Sequence, residues 1–297
     1  MSDNCRLPTY GGQAVIEGVM MRGSQSVAIA MRAPNQSIQI HKEDLGGIYK
    51  SRLTKIPFLR GLVMLWDALG LGMRALTISA NTQTGEDEKL EGPALYLTMA
   101  ASFGIAIALF FVAPAALGQL IEHWLGGSST ANGWLSNLLE GLVRLLLLIG
   151  YIWAVGKMPE IRRVFAYHGA EHKTINAFEA GAELTPENVA RHSIEHPRCG
   201  TAFLLTLVLL SIIIFSLLGP LPLGWRLASR VLMLPVLAGL AYEYIRWTAN
   251  HLDSAFVKLL VRPNLALQHL TTREPSLDML EVSIAAFQAM RSDEKVL

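Results

Sequence analysis

Four stretches of the chain are apolar over the length a helix needs to cross a bilayer core, roughly 20 residues. They run from about Ala94 to Leu120, Leu135 to Val155, Thr201 to Leu218 and Ala228 to Trp247, and the first holds no charge. A fifth helix is predicted over Pro57 to Ala80. There Arg60, Asp67 and Arg74 recur every seven residues, while Leu59, Leu62, Val63, Trp66, Leu69 and Met73 fill the remaining surface. A narrow charged stripe on an apolar helix suits one that lies in the membrane interface or packs against the bundle. Ahead of it, Ala14 to Ile16, Val27 to Met31 and Ser37 to Ile40 are β-prone runs separated by Gly18, Gly23, Ser24, Pro34 and Asn35. They predict a hairpin or a three-stranded sheet, with the glycines as turn residues.

Outside the spans, Ile161 to Ala180 has helical character and Gly181 supplies its stop. Thr185 and Pro186 begin a further helix, and Ser276 caps a last one with Leu280, Ile284 and Phe287 as its apolar stripe. Asn81 to Glu91 is polar and acidic and reads as a linker. The predicted fold is mainly α: a polytopic helical membrane bundle of about four spans, an interfacial helix, and a small N-terminal β hairpin or sheet. Its units are a β-rich region (1–56), the interfacial helix and linker (57–92), a membrane hairpin (93–156), a histidine- and cysteine-bearing helical loop (157–200), a second membrane hairpin (201–250) and a C-terminal segment (251–297).

Composition fits a lipid bilayer as the partner. The chain is 52% hydrophobic and 16% charged with a mean hydropathy of +0.36, more apolar than typical soluble domains. A formal charge of +1 and the lack of a basic arm argue against nucleic acid. Two cysteines far apart do not form a disulfide framework. The polar start, Met-Ser-Asp-Asn-Cys, shows no cleavable signal peptide, so insertion is expected to rest on the internal segments.

Charge sets the orientation, because Lys and Arg collect on the cytoplasmic side. Ile121 to Gly133 has neither, whereas Gly156 to Gly200 carries Lys157, Arg162, Arg163, Lys173, Arg191 and Arg198. Both termini and the histidine loop are therefore expected in the cytoplasm, in the bacterial cytoplasmic membrane. Arg226 and Arg230 fall on the opposite side but are too few to reverse this.

Four of the eight histidines and one of the two cysteines fall between His168 and Cys199. His168, Glu171 and His172 share a helix face at spacings of three and four. Two imidazoles and a carboxylate are what a divalent metal with a general base requires. His196 and Cys199 are the expected further ligands and zinc the expected metal, with Glu171 as base and Lys173 or Arg198 to stabilise developing charge. Glu179 lies further along the same face as a ligand or a group that orients one, and Glu243 in the fourth span is a second such candidate. His192 and Glu195 read as solvated. The alternative is a purely structural hydrogen-bond network. The His-x-x-Glu-His order resembles the inverted zinc peptidases over five residues, but those take a distant carboxylate as third ligand.

Longer blocks carry a wider resemblance. Gly11 to Gly23 (GGQAVIEGVMMRG) resembles the opening signature of the bacterial YqhQ family. Tyr167 to Ile175 (YHGAEHKTI), His196 to Thr201 (HPRCGT) and Leu270 to Pro275 (LTTREP) are similar to its other signatures. The resemblance implies a multi-pass membrane protein of a family thought to be metal-dependent enzymes, with no settled substrate.

Three function classes follow. One is a membrane metal hydrolase acting on a membrane-proximal substrate. Another is a transporter or channel, against which stand few polar residues in the spans and no repeat pair or interrupted helix visible in the sequence. The third is an assembly protein whose metal is structural. Glu140 and Arg144, four apart in the second span, are expected to neutralise each other within the helix.

Overall fold

The computed structural model describes residues 10–45, 56–84, 92–124, 133–218 and 221–292. Four strands, β1 (Gly11–Val15), β2 (Gly18–Arg22), β3 (Ser26–Arg32) and β4 (Ile38–Asp44), form an antiparallel meander in sequence order. Gly18 to Arg22, read above as turn-flanking sequence, is thus a strand in its own right. The reason is burial on both faces. Val19, Met21, Ala28 and Ala30 face one core, while Met20, Val27, Ile29 and Met31 face another. A strand covered on both sides loses the alternation by which strands are read.

Helix α1 (Leu59–Gln83) covers the second face, with Ala75 buried and Leu71, Leu76 and Ile78 packed beside it. Its charged stripe is a seam. Arg60 pairs with Glu243, Asp67 with Arg22 of β2 at 2.9 Å, and Arg74 with Glu43 of β4 at 2.8 Å. The helix meets the length and hydropathy of a span, yet two of its three stripe charges are held by the sheet.

The other spans follow the apolar segments. Helix α2 (Gly92–Ile107) continues through a π-helical turn (Ala108–Val112) into α3 (Ala113–Trp124). Next come α4 (Gly133–Val155), α5 (Pro159–Glu179), the short α6 (Pro186–Val189) and α7 (Gly200–Leu217). The predicted fourth span is broken into α8 (Leu223–Leu232) and α9 (Leu234–Ala249), bent by 41° where Pro235 opens the second helix. Among the described residues this bend breaks one span, while the π turn lies within a single continuous helix from Gly92 to Gly118. Helix α10 (Ala255–Thr271) returns against α7, joining Leu267 to a core of Leu148, Ile152, Leu205 and Val208. Last, α11 (Leu277–Arg291) buries Leu280, Ile284 and Phe287 against α5 and the first sheet face. Among the described residues, four helices are long and apolar enough to cross a membrane, or five with the bent pair. Most of the predicted linker and the loop between α3 and α4 lie outside the described residues.

Candidate metal centre

Helix α5 starts at Pro159, whose ring suits a first helical turn, and stops at Gly181, which takes φ 71°. Halfway along it His168 and His172 stack one turn apart, ring centroids 4.4 Å from each other. Both rings are held from behind. His168 Nδ1 donates to the Thr271 carbonyl at 2.9 Å and His172 Nδ1 to the Ile194 carbonyl at 2.5 Å. A carbonyl only accepts, so the proton sits on Nδ1 and each Nε2 lone pair is left for a ligand. Cys199 N-caps α7, its Sγ accepting the Thr201 amide, and lies 3.3 Å from His168 Nε2. Donor atoms of His168, His172 and Cys199 all fall within 4.8 Å of one another. Nitrogen and sulfur donors on one tetrahedral zinc lie about 3.3–3.6 Å apart, so the widest pair would close by roughly 1 Å to hold the ion.

The loop that brings Cys199 back to α5 is fastened along its length. Lys173 Nζ donates to the Ala190 and His192 carbonyls at 2.8 and 2.7 Å and pairs with Glu274 at 3.0 Å. Those three bonds saturate an ammonium. Asn176 donates to the Ser193 and Glu195 carbonyls. Gln268 of α10 clamps His196 by both backbone groups, at 2.9 Å each. Asn176 and Gln268 bond backbone groups of distant segments and carry no signal in the sequence, whereas Thr271, which acts through its own carbonyl, lies within the LTTREP block.

Glu171 is 5% exposed. Burial pushes its carboxyl up to about 7, against the opposing pull of His168 and of a hydrogen bond from the Gly12 amide. Its Oε2 and the Nε2 of His172 are buried with no hydrogen-bond partner among the described residues. Orphaned polar atoms of this kind cost free energy unless something else binds them. Gly12 admits no side chain, since a Cβ there would lie 2.5 Å from the Met20 carbonyl and 3.0 Å from Glu171. The sequence allows a turn or, as the less common use of glycine, a close backbone approach here, and in the structure Gly12 is the close approach of β1 to Glu171.

The other candidates lie outside the trio. His196 Nε2 is also buried and faces Glu179 at 3.8 Å, its ring 5.7 Å from that of His172. Burial lowers the pKa of His196 although Glu179 works to raise it. Arg198 forms an ion pair with Glu179. Burial works to raise Glu179, but the neighbouring His196 and the Arg198 charge hold it below the usual carboxylate range. Glu243 is bound by Arg60 and the Phe58 amide, neither of them part of the cluster. Glu195 pairs with His269 at the surface.

The signature blocks meet here. Gly12 touches Glu171, Glu17 accepts from Nε and Nη2 of Arg163 at 2.5 Å each, Thr271 orients His168, and Glu274 holds Lys173. A model for the family described as "Protein of unknown function (DUF1385)" matches residues 56–293. The chain belongs to this family. It is also 36% identical over 298 residues to "Uncharacterized protein YqhQ" of Bacillus subtilis (strain 168), covering 95% of this chain and 92% of that one. No solved structure matches.

Proposed function

We propose that this is an integral membrane metal hydrolase whose site faces the cytoplasmic surface of the bilayer. The observation that carries the reading is the convergence of His168, His172 and Cys199 next to two buried polar atoms, on His172 and Glu171, that lack partners. Three protein donors leave one position of a tetrahedral ion for water, the pattern of catalytic rather than structural zinc. Bound there, zinc supplies water of lowered pKa, toward about 7. Glu171, next to His172 on α5 and shielded from solvent, would be the base that accepts that water's proton. The Gly12 amide holds one carboxylate oxygen and leaves the other for that role. His168 is the half-buried member, so substrate approaches from its side. Cys199 opens a membrane helix, which sets the site at the bilayer boundary and favours a lipid-linked or membrane-proximal substrate. In this reading Lys173 and the Arg198–Glu179 pair hold the loop rather than the transition state.

A specific observation favours a second reading, in which the metal only closes the loop. His172 and Cys199 are 1% and 5% exposed, as closed structural sites are. Glu171→Gln separates the two. The variant keeps size and hydrogen-bonding reach but not the proton acceptor. As a hydrolase it should fold at wild-type level and fail to complement a deletion strain, since losing a general base costs about 10²–10⁴ in rate. Normal complementation by Glu171→Gln would refute the enzyme reading.

A further inference from the structure

A second buried cluster lies in the other half of the bundle. Glu140 of α4 is 1% exposed and is surrounded by Arg144, Arg226 and Arg230, at 5%, 5% and 1%. Its Oε1 accepts from Arg144 Nη2 at 2.8 Å and Arg230 Nε at 3.0 Å. Its Oε2 accepts from Arg226 Nε at 2.8 Å and Arg230 Nη2 at 2.9 Å. Four bonds fill the acceptor capacity of a carboxylate. Among the described residues the remaining guanidinium contacts are neutral: Ser136 and Asn137 of α4, Ser211 of α7, Ser229 of α8, and the ring of Phe215 4.2 Å from Arg230. The carbonyl of Phe110, inside the π turn, receives Arg144 Nε at 3.0 Å.

Ser211 lies eleven residues along α7 from Gly200, about 16 Å by helical rise, so the cluster is well removed from the Cys199 end. Three guanidiniums that do not deprotonate face one carboxylate among the described side chains, an excess of two positive charges. Positive charge buried without a counter-ion is costly in a bundle, and at membrane depth it marks a functional site. Beside the cluster is a cavity of about 230 Å³, lined by Leu218, Leu221, Trp225, Ser229, Leu232 and Met233. Its single polar lining residue, Ser229, is the one that receives Arg230 Nη1, at 3.1 Å. The apolar cavity thus adjoins the cluster through Ser229, while the guanidiniums themselves lie behind its wall.

We propose that Arg226, Arg230 and Ser229 bind a phosphate group, and that the adjoining cavity takes an acyl chain of the anionic phospholipid that carries it. Arginine matches phosphate by paired N–H donors; beyond the bonds named above Arg226 keeps Nη1 and one hydrogen of Nη2, and Arg230 keeps one hydrogen of Nη1. The proposal is independent of the metal reading.

The test uses the full chain, delipidated in neutral detergent, with thermal unfolding and native mass spectrometry as readouts. Phosphatidylglycerol should remain bound and raise Tm by about 5–10 °C at saturation, and phosphatidylcholine should not. An equal rise with inorganic phosphate alone would keep the phosphate site and overturn the acyl slot. No rise with either anion, or the same rise with phosphatidylcholine, would overturn the proposal. Ser229→Asp supplies a carboxylate in place, so it should raise the lipid-free Tm and abolish the phosphatidylglycerol response. Arg226→Gln leaves Glu140 two arginine partners and should weaken lipid retention severalfold. Wild-type response in both variants would move the site elsewhere.

Discussion

At the scale of single residues, the centre depends on which nitrogen of each histidine carries its proton. Carbonyls of Thr271 and Ile194 decide that, and both belong to segments far from α5 in sequence. Glu179 shows how a neighbour off the metal trio contributes. Its pKa is depressed in the folded protein, so its stabilising effect is present above the unfolded value of about 4.3 and is lost as pH falls through the lower folded value. Glu179→Gln should accordingly unfold at lower temperature than wild type at pH 7. The two melting curves should converge as pH approaches 3, and a Tm gap that persists unchanged across that range would contradict the ion-pair account.

Among the elements, backbone contact between α5 and the segment after α10 is the tightest joint of the site. A Cβ at Gly169 would lie 2.1 Å from the Arg273 carbonyl, while the Arg273 amide donates to the Phe165 carbonyl at 2.9 Å. Gly169→Ala should thus lower stability by about 1–3 kcal/mol, as overpacking does, and loosen the Thr271 hold on His168. Unchanged denaturant midpoint in that variant would deny the close approach. Spacing alone placed His168, Glu171 and His172 on one face, because a single helix carries all three. Cys199 was legible as a candidate beside them because HPRC lies one short loop away, and the structure brings it within 4.8 Å of both histidines. The role of Gly12 was not, since nothing local to β1 says which helix it will touch. Strand β2 escaped for a related reason: two-sided burial gives it an unbroken apolar run. The seven-residue stripe of α1 was visible, but its partners Arg22, Glu43 and Glu243 come from three different elements. Likewise Arg226 and Arg230 counted only as misplaced loop charges until the bend after α8 brought them to Glu140.

For the whole molecule, the sheet, α5 and α11 form a body on the end of the bundle where α4 finishes and α7 begins. The excess of Lys and Arg in Gly156 to Gly200 is the basis on which we propose that this end faces the cytoplasm. Single cysteines in the 157–200 loop and near both termini should react with membrane-impermeant reagents only after the cells are opened, while one at Gly126 to Asn132 should react in intact cells. The reverse pattern would place the site, and its substrate, outside. The most direct test of the central claim is metal analysis with X-ray absorption on purified wild type, Glu171→Gln and His168→Ala/His172→Ala. The account predicts one zinc per chain with two nitrogen donors, one sulfur and one oxygen, preserved in Glu171→Gln and lost in the double alanine variant. Full metal content in the double alanine variant, or loss of the metal in Glu171→Gln, would contradict it.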